Sequence, residues 1–265
     1  MTNNVRTVTT VTQWLMPPEW GWQALILPQM DQGTIQIDFS QPKFGIPASQ
    51  GNSTAVVSPN EQYLRTNIPA YICPSAQGLP GMRPGTGVSA NWAYSTYRGC
   101  MGAFDTNPKT NPDPNPTNPN IPRVPNGMLY SNSAVKFSDI RDGTTNTIVL
   151  GDSLYGFWAD SLSCCVRVWD DVDHPDLWDA YWTFTPNPQP TNILLIPPTT
   201  NVIQQYFSFG SGHGSNIAIF GMADGSTKQI SKTIDKNVFK AISTRNGALR
   251  AYAPGMNIEN VTDTW

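Results

Sequence analysis

The stretch that decides the fold is "GSGHGSNIAIFGMADGSTKQIS", from Gly210 to Ser231. Apolar residues alternate with other residues before Asp224-Gly225, and the alternation resumes after this pair, which predicts a β-hairpin closed by an Asp-Gly turn. The stretch also holds His213, one of two histidines in the chain. A histidine and an aspartate in one short segment can also indicate catalysis or metal binding.

Local physical chemistry accounts for both residues without catalysis. Asp224 suits a turn because its side chain can bond its own backbone and tolerates positive φ. His213 lies in a glycine-rich loop, where it can support the hairpin through a hydrogen bond to the backbone. A general base needs an orienting partner and a nucleophile within reach. No motif of an esterase or a zinc protease accompanies His213, so we predict no catalytic residue and no enzyme.

The composition favours an exported surface protein over a nucleic-acid-binding protein. Only 13% of the 265 residues are charged and the net charge is -3, whereas nucleic-acid binding needs a basic face. The chain contains 24 prolines and 21 glycines, which predicts many loops. The polar N-terminus does not resemble a signal peptide, so export would require a signal that this sequence lacks.

The rest of the chain reads as an α+β domain with an antiparallel sheet, short helices and long loops. We predict a helical segment around residues 20–36, a strand over residues 90–104, and a strand, turn and strand over residues 127–152. A short helix is predicted after Asp235, because Val238, Phe239 and Ile242 recur at helical spacing. We treat residues 1–265 as one domain, with a Pro/Asn-rich loop at 105–125 and an irregular insertion at 158–207.

Four cysteines are candidates for disulfides: Cys73, Cys100, Cys164 and Cys165. Adjacent cysteines rarely bond each other, because the small ring strains the disulfide geometry. Full oxidation would therefore pair Cys164 and Cys165 with Cys73 and Cys100. The alternative is that some of the four are buried free thiols.

Two acidic segments are candidates for metal binding. The insertion contains Asp170, Asp171 and Asp173 near several tryptophans, so it could bind calcium through carboxylate oxygens or present a surface for glycans. A solvated acidic loop explains the same residues more simply. In "DIRDGTTNT", Asp139, Asp142 and Asn146 could also be oxygen ligands, although a turn at Asp142-Gly143 accounts for them.

Six segments in order resemble the family called domain of unknown function 1559. They are "WGWQALILPQMDQ", "IPAYICPS", "YRGCMG", "NGMLYSNSAVKFSDIRDGTTNTIVLGD", "SGHGSNIAIFGMADGSTKQIS" and "VFKAISTRNG". The resemblance covers about residues 20–250 and includes a His-x(nine)-Asp-Gly region, here at His213, Asp224 and Gly225. Asp142 and Gly143 belong to the same set of family residues.

The resemblance implies a pilin-like head that is exported to the cell surface or periplasm and assembles with other subunits or with pilus machinery. Such proteins begin with a prepilin-type signal and an apolar helix, which this sequence lacks. It also departs from the family in having ten residues between His213 and Asp224, which we attribute to a β-bulge near Gly221. Gly151-Asp152 stands where the family would have Gly-Glu. The resemblance further implies that Cys73 could pair with a cysteine near that helix.

Overall fold

The structure is a computed structural model that describes residues 18–45, 57–76, 92–105, 126–130, 132–153, 156–161, 164–170, 209–211, 213, 217–231 and 233–246. Its centre is a five-stranded sheet with the strand order β3-β1-β2-β4-β5. The strands are β1 (Tyr97–Asp105), β2 (Ile148–Asp152), β3 (Cys165–Asp170), β4 (Ile217–Met222) and β5 (Thr227–Ser231). Short helices pack around this sheet, which confirms the α+β class.

The hairpin of β4 and β5 is confirmed, and its turn has the predicted chemistry. The two strands pair antiparallel from Ile217 opposite Ser231 to Gly221 opposite Thr227. Gly225 has a φ of 85°, a conformation that glycine adopts without strain. The Ser226 backbone N–H donates to Asp224 Oδ1 at 2.9 Å, so the aspartate closes the turn through its own side chain.

The expected bulge at Gly221 is wrong, because the irregularity lies in the neighbouring strand. β4 pairs with β5 without interruption through Gly221. Against β2, the register shifts between Ile148, opposite Met222, and Leu150, opposite Gly221. Val149 of β2 is therefore the residue without a partner in β4, and the register of the β2–β4 pairing shifts at this position.

The sheet is mixed, which corrects the expectation of a purely antiparallel one. β1 pairs antiparallel with β2 but parallel with β3. β3 lies inside the segment 158–207, which the sequence predicts to be irregular. Its short apolar run, Val166 and Val168, is buried in the sheet core, and a run of this length carries little periodic signal.

The segment before β2 contains a helical turn where a strand was predicted. Residues Phe137–Asp139 form a 3-10 helix, and Phe137 is 75% exposed. The backbone N–H of Lys136 donates to Asp139 Oδ2 at 2.9 Å. This local hydrogen bond stabilises a helical turn in competition with a strand. The strand predicted from the alternation of Val135 and Phe137 is therefore wrong.

Helices are short in the described part of the chain. The predicted helical segment near residue 20 consists of α1 (Trp22–Leu25) and a 3-10 helix (Leu27–Met30) that begins beside Pro28. Two further 3-10 helices span Glu61–Arg65 and Pro69–Tyr71, and another spans Thr144–Asn146. The predicted helix near the C-terminus is confirmed as α2 (Lys236–Ile242).

Two apolar clusters form the core. The first joins one face of the sheet to α2, where the rings of Phe209, Phe220 and Phe239 meet edge to face at 5.0 to 6.3 Å. The second lies beside the sheet and gathers α1, the 3-10 helices and aromatic residues that include Trp92 and Trp158. No helix within the described ranges has the length and apolar character needed to cross a bilayer.

The cysteines are not paired as expected. The structure joins Cys164 to Cys165 and leaves Cys73 and Cys100 as free thiols. Cys100 is fully buried, and its thiol donates to the carbonyl of Ser243. Cys73 lies in a different part of the fold, where its thiol faces the imidazole of His213.

Candidate functional site

Three side chains that are far apart in the sequence converge at the end of β2. The thiol of Cys73, the carboxylate of Asp152 and the imidazole of His213 each offer one ligand atom, and these atoms lie within 4.8 Å of one another. Cys73 and Asp152 are buried, whereas the His213 side chain is 20% exposed. Solvent therefore reaches the cluster from the side of His213.

Asp152 is fixed by the sheet itself. It is the last residue of β2 and stands opposite Tyr97 at the start of β1. Its Oδ2 accepts a hydrogen bond from the backbone N–H of Ile219 at 2.8 Å. Burial raises the pKa of Asp152, while this N–H and the nearby His213 act in the opposite direction.

Cys73 is held by the segment that follows the 3-10 helix Pro69–Tyr71. Its backbone N–H donates to Thr96 Oγ1 at 2.6 Å. The N–H of Thr96 donates in turn to the carbonyl of Tyr71 at 2.9 Å. These two bonds fasten the segment next to the start of β1, so the Cys73 thiol reaches the end of β2.

His213 reaches the cluster from the loop that precedes β4. Gly210 N–H donates to the Asp152 carbonyl at 2.9 Å, and His213 N–H donates to Ser211 Oγ at 2.9 Å. The loop is thus anchored on Asp152, and it directs the imidazole toward the end of β2. Among the described residues, the imidazole contacts the side chains of Asp152 and Cys73.

His213 and Asp224 do not form a site together. His213 precedes β4 and Asp224 follows it, so the whole strand separates them. Asp224 is exposed, and its carboxylate accepts bonds from the backbone and hydroxyl of Ser226. The carboxylate that His213 meets is Asp152 instead.

The same imidazole nitrogen of His213 faces both Cys73 and Asp152. His213 Nε2 lies 3.3 Å from Asp152 Oδ2 and 3.5 Å from Cys73 Sγ. In a Cys-His-Asp relay, the nucleophile and the carboxylate use different nitrogens of the ring. Here both compete for the same nitrogen, an arrangement suited to a shared proton or to a shared metal ion.

Tyr97 completes the surroundings of the thiol. Burial, the charges of the neighbouring Cys73 and Asp152, and a hydrogen bond between the Tyr97 and Cys73 side chains together raise the pKa of Tyr97 to about 12. The phenol therefore stays protonated at neutral pH. Tyr97 therefore lines the cluster as a neutral polar group and adds no charge.

Among the described residues, no acidic candidate from the sequence belongs to this cluster. Asp170 is the last residue of β3, and Asp171 and Asp173 lie outside the described residues. Asp139 caps its own turn, as described above. Asp142 belongs to the turn at Gly143, which has a φ of 92°, and its Oδ2 accepts a bond from Thr244 Oγ1 at 3.4 Å.

Sequence reasoning missed the grouping because no spacing pattern encodes it. Cys73 and His213 are 140 positions apart, far beyond the reach of a short ligand motif. One signal was available: three of the segments that carry the family resemblance each contain one of these residues. Only the pairing of β1, β2 and β4 brings those segments together.

Comparison with known protein families identifies a match over most of the chain. The model of a family described as "Protein of unknown function (DUF1559)" matches residues 4–237. No curated protein and no solved structure matches the chain. The match includes all three residues of the cluster.

Proposed function

Because the chain belongs to the DUF1559 family of proteins of unknown function, we propose that it is a non-enzymatic, pilin-like structural subunit. In this proposal it is exported, stands at the cell surface or in the periplasm, and assembles with other copies of itself. The resemblance described above supports this function. The observation that carries it is the unequal covering of the two faces of the sheet.

The inner face of β4 is buried. In β4, the buried residues Ala218, Phe220 and Met222 point into the cluster under α2. Residues of a strand alternate between faces, so Ile217 and Ile219 point to the opposite, outer face.

Within the described residues, the outer face is covered by side chains near β1. Trp22 and Leu129 lie over Gly99 of β1, within 3.1 Å of the position that a Cβ would occupy. Leu150 shares this face, because it contacts the corresponding position of Gly221. Leu150, Ile217 and Ile219 are half-buried, so this face presents a partly accessible aliphatic surface.

A half-covered aliphatic face is suited to repeated contacts between subunits. Burial of apolar surface contributes about 25 cal/mol per Å², and low charge avoids repulsion between copies. The chain has only 13% charged residues. We therefore assign the outer-face residues Leu150, Ile217 and Ile219 to the contact with a neighbouring copy.

Site-specific photo-crosslinking in the cells that naturally produce the protein tests this function. A benzoylphenylalanine in place of Ile219 should give a covalent dimer in the surface or periplasmic fraction. The matched control replaces Phe137, an exposed aromatic residue in a 3-10 helix, and should give little dimer. Monomer alone at both positions, or protein confined to the cytoplasm, would rule the proposal out.

A further inference from the structure

We propose that Cys73, Asp152 and His213 form a binding site for a transition-metal ion of the zinc class, with a fourth position open to a water molecule or a ligand. This site is independent of the proposed role in assembly. It rests on three observations: the distances between the ligand atoms, the chemistry of the three donors, and their burial.

The distances match the edges of a metal coordination shell. With ordinary zinc bond lengths, a tetrahedral site separates sulfur from nitrogen by about 3.5 Å and nitrogen from oxygen by about 3.4 Å. The structure has 3.5 Å between Cys73 Sγ and His213 Nε2, and 3.3 Å between that nitrogen and Asp152 Oδ2. All three atoms lie within 4.8 Å of one another, so the remaining edge needs to contract by at most about 1.3 Å.

The donor set selects the class of metal. Thiolate and imidazole together favour zinc and related transition metals, whereas calcium and magnesium prefer oxygen ligands. Three protein ligands leave one tetrahedral position free, as in zinc sites that accept a water molecule or a substrate. The partly exposed His213 lies at the rim, which leaves that position accessible from solvent.

The arrangement of the three side chains favours a bound cation. Two acids, Cys73 and Asp152, meet at one imidazole nitrogen in a largely buried place. A single nitrogen cannot donate a proton to Asp152 and accept one from Cys73 at the same time. A metal ion satisfies all three groups at once and neutralises the two anionic ligands.

The ligands are also positioned before any ion binds. The Ile219 N–H bonds the carboxylate of Asp152, and Thr96 Oγ1 holds the backbone of Cys73. Bonds of this kind orient ligands and increase metal affinity. The same contacts connect the site to β1, β2 and β4, so metal binding should also stabilise the sheet.

Titration of the reduced, metal-stripped full chain with Co²⁺ tests the site. Cobalt takes the place of zinc and reports a thiolate ligand through a sulfur-to-metal charge-transfer absorption. We expect one Co²⁺ per chain, displacement by one equivalent of Zn²⁺, and a melting temperature that rises with zinc concentration. Cobalt that binds without the charge-transfer absorption would overturn the proposal.

Matched variants separate the site from general effects on folding. Cys73→Ser should abolish the charge-transfer absorption, whereas Cys100→Ser and the double variant Cys164→Ser/Cys165→Ser, which remove the other thiols of the reduced chain, should retain it. Asp152→Asn should weaken Co²⁺ binding by more than about tenfold, and the exposed control Asp224→Asn should not.

His213→Gln gives a second test that depends less on folding, because His213 is the most exposed of the three ligands. It should retain the charge-transfer absorption at high cobalt concentration but weaken affinity by more than about tenfold. Wild-type affinity in folded His213→Gln, or an absorption that persists in Cys73→Ser, would overturn the assignment.

Discussion

Replacement of Gly102 by alanine should be among the most destabilising glycine substitutions in the described sheet. Gly102 lies in β1 where the pairing with β3 shifts register, and its φ is 105°. An added Cβ would lie 2.0 Å from Asn126 Oδ1 and 2.5 Å from the backbone nitrogen of Gly127. The substitution therefore combines an unfavourable backbone conformation with a clash against backbone atoms.

Two other glycines separate these effects. Gly225 has a φ of 85° but nothing within 4 Å of its added Cβ, so Gly225→Ala measures the backbone cost alone, about 1–2 kcal/mol. Gly33 has open space and no positive φ, so Gly33→Ala should change stability by less than about 0.5 kcal/mol. For Gly102→Ala, crowding adds about 1–3 kcal/mol to the backbone cost, which gives a total of about 2–5 kcal/mol.

Urea unfolding followed by tryptophan fluorescence measures these differences. The free energy of unfolding should fall in the order Gly33→Ala, Gly225→Ala, Gly102→Ala, with m-values unchanged. A loss in Gly102→Ala no larger than that in Gly225→Ala would refute the reasoning, because it would mean that Asn126 and Gly127 do not press against β1.

Three further predictions concern the core, a loop and pH. Phe239→Ala should cost about 3–5 kcal/mol in urea unfolding, because the ring is buried against two others, whereas exposed Phe137→Ala should stay within about 0.5 kcal/mol. Asn126→Asp should cost about 1–3 kcal/mol in the same assay. The reason is that the amide nitrogen of Asn126 donates to the Ala103 carbonyl at 3.0 Å, and a carboxylate can only accept. Equal stability of the two proteins would contradict this role. Burial lowers the pKa of Lys43 to about 8, so between about pH 8 and 10.5 the unfolded chain keeps a Lys43 proton that the folded chain releases, and the contribution of Lys43 to stability should rise with pH. That rise should disappear in Lys43→Met, and an identical rise in the variant would exclude Lys43 as its source.

Periodicity succeeded where a segment is amphipathic and local turn chemistry agrees with it. The hairpin of β4 and β5, strand β1 and helix α2 all meet this condition. It failed at Val135–Phe137, because the bond from the Lys136 backbone to Asp139 favours a helical turn that hydropathy does not record. It also failed at β3, a short apolar run whose partner strand lies more than sixty residues away.

The candidate site also depends on contacts between distant segments, which local sequence patterns do not predict. The sequence singled out His213 and Cys73 separately, one as support for a hairpin and the other as a disulfide candidate. It also noted Gly151-Asp152 only as a departure from the family. No local pattern connects the three, because each lies at the end of a different segment.

The sequence by itself determined the class of fold, the hairpin with its Asp224-Gly225 turn, and the family. These depend on contacts between residues close in the chain, or on ordered segments that can be recognised one at a time. The tertiary structure alone decided that β3 runs parallel to β1, that Val149 takes up the register shift, and that His213 meets Asp152 rather than Asp224. Each of these depends on which distant strands pair, and strand pairing is set by packing across the whole sheet.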